Sequence, residues 1–172
     1  MRRVELLGLE ELPLGTRPLL LLEDVLLLVW QSLLVFRAHP DYMAYFNPLA
    51  GREPGRVLVD SDLDWGQDLF QLEAFFKDRE TDLLHIAYFG SVRLCEHDLP
   101  PLRWLEPATQ VTGWVAISEM YYRDLWHLTW DDVCDRKRAR VSKVRNGYGW
   151  LAQHEPVAIA GRSIRIYRIP DE

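Results

Sequence analysis

The stretch from Arg56 to Leu72, RVLVDSDLDWGQDLFQL, constrains the fold more than any other part of the chain. Val57 to Val59, led in by Arg56, read as a short buried strand, and Asp60, Asp62 and Asp64 then follow on alternate positions. Asp64 can cap a helix by accepting from the backbone N–H groups ahead of it, while Gln67 reaches back as in a capping box. Leu69, Leu72 and Phe76 follow Trp65 at helical spacing, so one helix face is apolar and packs on the strand it came from. The unit is a strand feeding a helix, with carboxylates at its mouth. In open α/β sheets ligands bind at the carboxyl ends of the strands. The candidate substrate-binding residues are therefore Asp60, Asp62, Asp64, Trp65, Gln67 and Asp68.

Three kinds of chemistry compete for the acids of this turn. Helix capping and turn formation come first, hydrogen bonding to a sugar or acceptor second, and a divalent cation held by the D-x-D of Asp60-Ser61-Asp62 third. A calcium loop of the EF-hand kind is excluded, because Trp65 stands where glycine is needed and Gln71 where the closing acid is needed. The loose grouping Cys95-Glu96-His97 is read first as structural and only second as a metal site. No G-x-S-x-G, P-loop or dinucleotide fingerprint occurs, which removes the motif basis for a hydrolase or a nucleotide binder. No catalytic residue, metal site or cofactor is expected.

A chain of 172 residues, 48% hydrophobic and 27% charged, is long enough for one ordinary domain with a sizeable core. Its net charge of -6 argues against nucleic acid as a partner, since polyanions need a basic surface. Cys95 and Cys134 lie far apart and outside any C-x-x-C pattern, so neither a zinc site nor a disulfide framework is expected. Residues 1–17 read as an arm, and the acids at Glu5, Glu10 and Glu11 disfavour a signal peptide. Residues 18–36 form an apolar helix with three readings: a buried core helix, an interfacial or partner-packed helix, or the remnant of a membrane span. Glu23 and Asp24 interrupt it, and an acid near the bilayer centre costs about 2.5–3.5 kcal/mol on insertion scales.

Residues 37–172 form the α/β domain. A helix over Asp68 to Arg79 leads to a strand over Leu83 to Phe89 ended by Gly90, which makes a right-handed crossover with a parallel sheet. Ser91 to Gln110, with Pro100, Pro101 and Pro107, reads as a long irregular connection. Trp114 to Ser118 is a third strand, and Ser118 can cap a helix that follows. His127 to Tyr148 carries Arg136, Lys137, Arg138, Arg140, Lys143 and Arg145, read first as a solvated helix face. A short helix over Tyr148 to His154 precedes a hairpin of Val157 to Ala160 and Ser163 to Ile169 around Gly161-Arg162, with Ile164, Ile166 and Tyr167 covering the sheet edge. The expected fold is a three-layer α/β sandwich with a mostly parallel sheet and a C-terminal antiparallel hairpin, preceded by the apolar helix.

HPDYMAYFNPLAG followed by LVDSDLDWGQDL resembles the start of the soluble, extracytoplasmic C-terminal domain of bacterial polytopic glycosyltransferases. These are related to dolichyl-phosphate-mannose protein mannosyltransferases. HIAYFGS, GWVAIS and YGWLAQHEPVAIAGRSIRIYRI are similar to that family's pattern in the same order, so the resemblance covers about Leu33 to Ile169. Where the family often has Asn after the Asp-Ser, this chain has Asp62. The resemblance implies a polyprenyl-phosphate-linked sugar as donor and a glycan or lipid-linked sugar as ligand. It also implies a membrane surface or membrane protein as partner, on the extracytoplasmic face, with a soluble chain as the outcome if it is a truncated form. The family's catalytic acid lies in a loop of a membrane domain that this chain lacks. The expected role is therefore glycan or acceptor binding without catalysis by the chain alone, with a non-enzymatic assembly module docking through the apolar helix as the alternative.

Overall fold

The computed structural model describes residues 17–39, 42, 66–134 and 139–171. The chain divides into two compact units, Met1–Tyr42 and Met43–Glu172, taken here one at a time. In the first, helix α1 runs over Arg17–Arg37. It closes with a turn in which Ala38 N–H donates to the Leu34 and Val35 carbonyls, next to a proline that disfavours further helix. Successive helical residues are about 100° apart, so the apolar run Val25 to Trp30 covers the whole circumference. Leu22, Val25, Leu26, Leu28, Trp30 and Phe36 are all more than half exposed, Phe36 at 78%.

The second unit is built on a five-stranded sheet of order β2-β1-β3-β7-β6. Its strands are β1 (Leu84–Ala87), β2 (Leu102–Trp104), β3 (Gly113–Ser118), β6 (Ala158–Ala160) and β7 (Ile164–Ile169). β1 pairs in parallel with β2 and β3, while β7 runs antiparallel to both β3 and β6. Strand alternation sends Leu84, Ile86, Ala116, Ile164 and Ile166 to one face, where helix α2 (Leu69–Phe76) lays Leu69, Leu72 and Phe76 against them. Val115, Ile117, Tyr167 and Ile169 point to the other face and meet Tyr121, Tyr148 and Leu151. Those last three come from helix α3 (Glu119–Tyr122), the residue after the Asn146-Gly147 turn, and a 3-10 helix over Gly149–Gln153. The result is the α/β class read from the sequence, with one helical layer on each side of the sheet.

Several expectations change. The leading strand at residues 56–59 lies outside the described residues, and with it the crossover it would begin. α2 occupies less of the chain than 68–79, with Asp68 at its N-cap position and Asp64 outside the described residues. The connection after Gly90 is not wholly irregular: it holds a 3-10 helix over Leu94–Glu96 and β2. Pro101 stands at the entry of β2, where a missing N–H disturbs nothing, and its carbonyl accepts from Leu84 N–H at 2.8 Å. β7 is an interior strand, with β6 at the edge.

The basic segment is not a helix face in its described part. β4 (Leu128–Trp130) and β5 (Ala139–Val141) form a small antiparallel pair, while Arg136, Lys137 and Arg138 lie outside the described residues. Arg140 is engaged by Asp131 at 2.6 Å and Glu106 at 3.0 Å. Cys95 and Cys134 are joined in a disulfide, Cα–Cα 5.3 Å, that ties the 3-10 turn to the loop after β4. Sequence separation hid this pairing because the fold, and not the spacing, brings the two together.

Candidate functional site

The edge of the sheet where the parallel strands end carries a group of buried polar side chains: Asp68, Ser118, Glu119 and Ser163. Asp68 is fully buried at the start of α2, and its Oδ2 accepts from Arg162 N–H at 2.9 Å, Ser163 N–H at 2.9 Å and Ser163 Oγ–H at 2.7 Å. Gln71, one turn on, accepts from Gly161 N–H through Oε1 at 2.9 Å. The first turn of α2 thus grips the β6–β7 turn. Gly161 sits at φ +58, and a Cβ there would collide with the Asp68 carboxylate, so this position needs glycine for two reasons.

Ser118 stands before α3 but makes no side-chain cap; its Oγ instead accepts from Phe89 N–H at 3.0 Å and fixes the exit of β1. Glu119 is buried between two guanidiniums, accepting from Arg123 Nε at 2.7 Å and from Arg165 Nε. Arg165 also lies over the Tyr122 ring at 4.4 Å. A buried carboxylate satisfied on both oxygens is stable; removing either partner would leave it short.

Of the six residues read from the sequence as substrate-binding, two are placed here. Asp68 is the buried anchor just described, and Gln67 is half-buried beside it. Asp60, Asp62, Asp64 and Trp65 lie outside the described residues. Among the described residues no group of three or more His, Cys, Asp or Glu could hold a metal ion. His97 is instead hydrogen-bonded through Nδ1 to Glu73 Oε2 at 2.9 Å, while its neighbour Cys95 is in the disulfide.

A feature that sequence reasoning missed lies at the opposite end of the strands, where β3 begins and β7 ends. A cleft of about 450 Å³ opens there between Gln110, Thr112, Trp150, His154 and Ile169. Trp150 and His154 are four residues apart on the 3-10 turn and meet edge to face, centroids 6.0 Å apart. That spacing was the available signal. Comparison with family models, with curated proteins and with solved structures finds no match. The resemblance to polytopic glycosyltransferases therefore rests on the motifs quoted above.

Proposed function

We propose that this chain is the soluble domain of a membrane glycosyltransferase system that uses polyprenyl-phosphate-linked sugars, holding glycan or acceptor without transferring sugar on its own. The observation that carries the reading is α1, whose apolar side chains are exposed on every side. A helix apolar all round needs lipid or a protein partner to cover it. Among the described residues no helix is long and apolar enough to cross a membrane, so the reading places α1 at a membrane surface or against a membrane protein. The Cys95–Cys134 disulfide supports an extracytoplasmic site, because such bonds persist in oxidising compartments. In this reading Asp60, Asp62, Asp64, Trp65 and Gln67 face the ligand, and Asp68 holds their turn to the hairpin.

Two measurements test this. Full-length chain mixed with phosphatidylethanolamine–phosphatidylglycerol vesicles is expected to float with them, and the double variant Leu26→Asn, Trp30→Asn to stay behind. Incubation with a polyprenyl-phosphate sugar and a lipid-linked acceptor is expected to give no transfer. Turnover by the chain alone overturns the binding role, and a wild-type chain that ignores vesicles overturns the membrane placement. The second outcome favours the assembly-module reading, for which the Glu23–Asp24 pair is the specific observation, since two acids are easier to accommodate beside a basic partner than in lipid.

A further inference from the structure

The cleft at the starting edge of β3 has the dimensions and lining of a binding site. Its volume of about 450 Å³ falls within the roughly 300–1,000 Å³ of small-molecule clefts. Among the described residues no Asp, Glu, Lys or Arg lines it, although 27% of the chain is charged. Apart from the His154 imidazole no cationic group lines it among the described residues, so a phosphate or carboxylate would find no guanidinium or ammonium partner there. The wall instead combines an indole, Val111 and Ile169 with the amide of Gln110 and the hydroxyl of Thr112.

Amide and hydroxyl groups both donate and accept, as a sugar hydroxyl does. An indole offers an apolar face with a single donor at its edge. The Trp150 Nε1 is buried and has no hydrogen-bond acceptor among the described residues. That atom has essentially no accessible surface, so the donor does not face the cleft. The ring itself is held, packed edge to face on His154 with 81° between the planes.

We infer that this cleft binds a neutral sugar residue, with Trp150 as the platform for the ring and Gln110 and Thr112 reading its hydroxyls. It stands at the other end of the strands from Asp68 and the β6–β7 turn, and so is a second site, separate from that grip. Neither depends on the other.

The test is a titration of the uniformly ¹⁵N-labelled full chain with methyl α-mannoside, methyl β-glucoside and methyl N-acetyl-β-glucosaminide, with inorganic phosphate and a proline-rich peptide as controls. At least one glycoside is expected to shift the Trp150 indole and Gln110 amide signals saturably, with a dissociation constant of about 1–10 mM, weak as suits a single ring. Gln110→Ala, at an exposed position that keeps the fold, is expected to weaken binding about tenfold, the effect of one lost hydrogen bond. Trp150→Phe keeps an aromatic ring but a smaller one, and is expected to weaken binding less than Gln110→Ala does. The inference is overturned by the absence of saturable shifts with all three glycosides, or by saturation with phosphate or peptide alone. It is also overturned if the shifts survive Gln110→Ala but vanish in the triple variant Asp60→Asn, Asp62→Asn, Asp64→Asn. That last result would move the sugar to the acidic turn and strengthen the proposed function while removing this site.

Discussion

Helix α1 is rich in leucine and helix α2 in leucine and phenylalanine, yet they end in opposite situations. In α2 Leu69, Leu72 and Phe76 form one stripe buried against Leu84, Ile86 and Ile166 of the sheet, and Phe70 alone of its large apolar residues is mostly exposed. In α1 they run round the whole helix and remain exposed, from Leu21 to Phe36. The contrast shows that pattern, more than apolar content, decides whether a helix can be finished by its own chain. A stripe has one complementary surface, and one sheet face can supply it; a cylinder asks for a surrounding medium.

The largest test of this contrast is Phe76→Ala, which is expected to destabilise the second unit by about 3–5 kcal/mol in urea unfolding, whereas Leu26→Ala in α1 should alter the same transition by less than about 0.5 kcal/mol. Equal effects from the two would erase the distinction. Next comes the covalent tie beyond α2. Cys95→Ser opens a loop closed over a sequence separation of 39 and is expected to cost about 2–4 kcal/mol, matched by adding reductant to the wild type. A variant with an unchanged unfolding midpoint would mean that packing alone holds the 3-10 turn in place.

Asp68→Ala removes the acceptor of three hydrogen bonds and should cost about 1.5–3 kcal/mol, with faster amide exchange at Arg162 and Ser163 as its local signature. Loss of stability without that local change would place the role of Asp68 elsewhere. The smallest effect is expected from His85 on β1. Burial first, and the Arg103 charge second, hold its imidazole below the ordinary 6.5. The unfolded chain therefore binds the proton more readily, so the stability is whole above pH 6.5 and declines as pH falls through the lower folded value. His85→Gln should flatten that acid limb of a stability-against-pH curve, and a curve of unchanged slope would remove His85 as its cause.

Much of the sheet was legible because its signals are local. Gly113 to Ser118 is a short apolar run after a glycine, and Gly161-Arg162 sits between two β-rich runs, so both elements stand close to where the sequence puts them. β2 was hidden by the prolines beside it, being a three-residue strand whose identity comes only from lying next to β1. The basic run read as helical because its charges mask a short alternation, Leu128 with Trp130 and Ala139 with Val141, that only pairing reveals. At the candidate site, Asp68 was picked out as an acid at a helix start, but its use was not legible: its partners Arg162 and Ser163 are nearly the whole unit away along the chain. Trp150 and His154 were visible as residues and invisible as a cleft, since the other wall comes from the approach to β3.

The grip of Asp68 on Ser163 spans 95 positions of sequence. A growing polypeptide therefore cannot complete this corner until Ser163 has left the ribosome, and contacts closed over so long a loop form late and slowly. The β6–β7 hairpin works as a latch: a chain stopped short of Ser163 would keep helix α2 and lose what orients it.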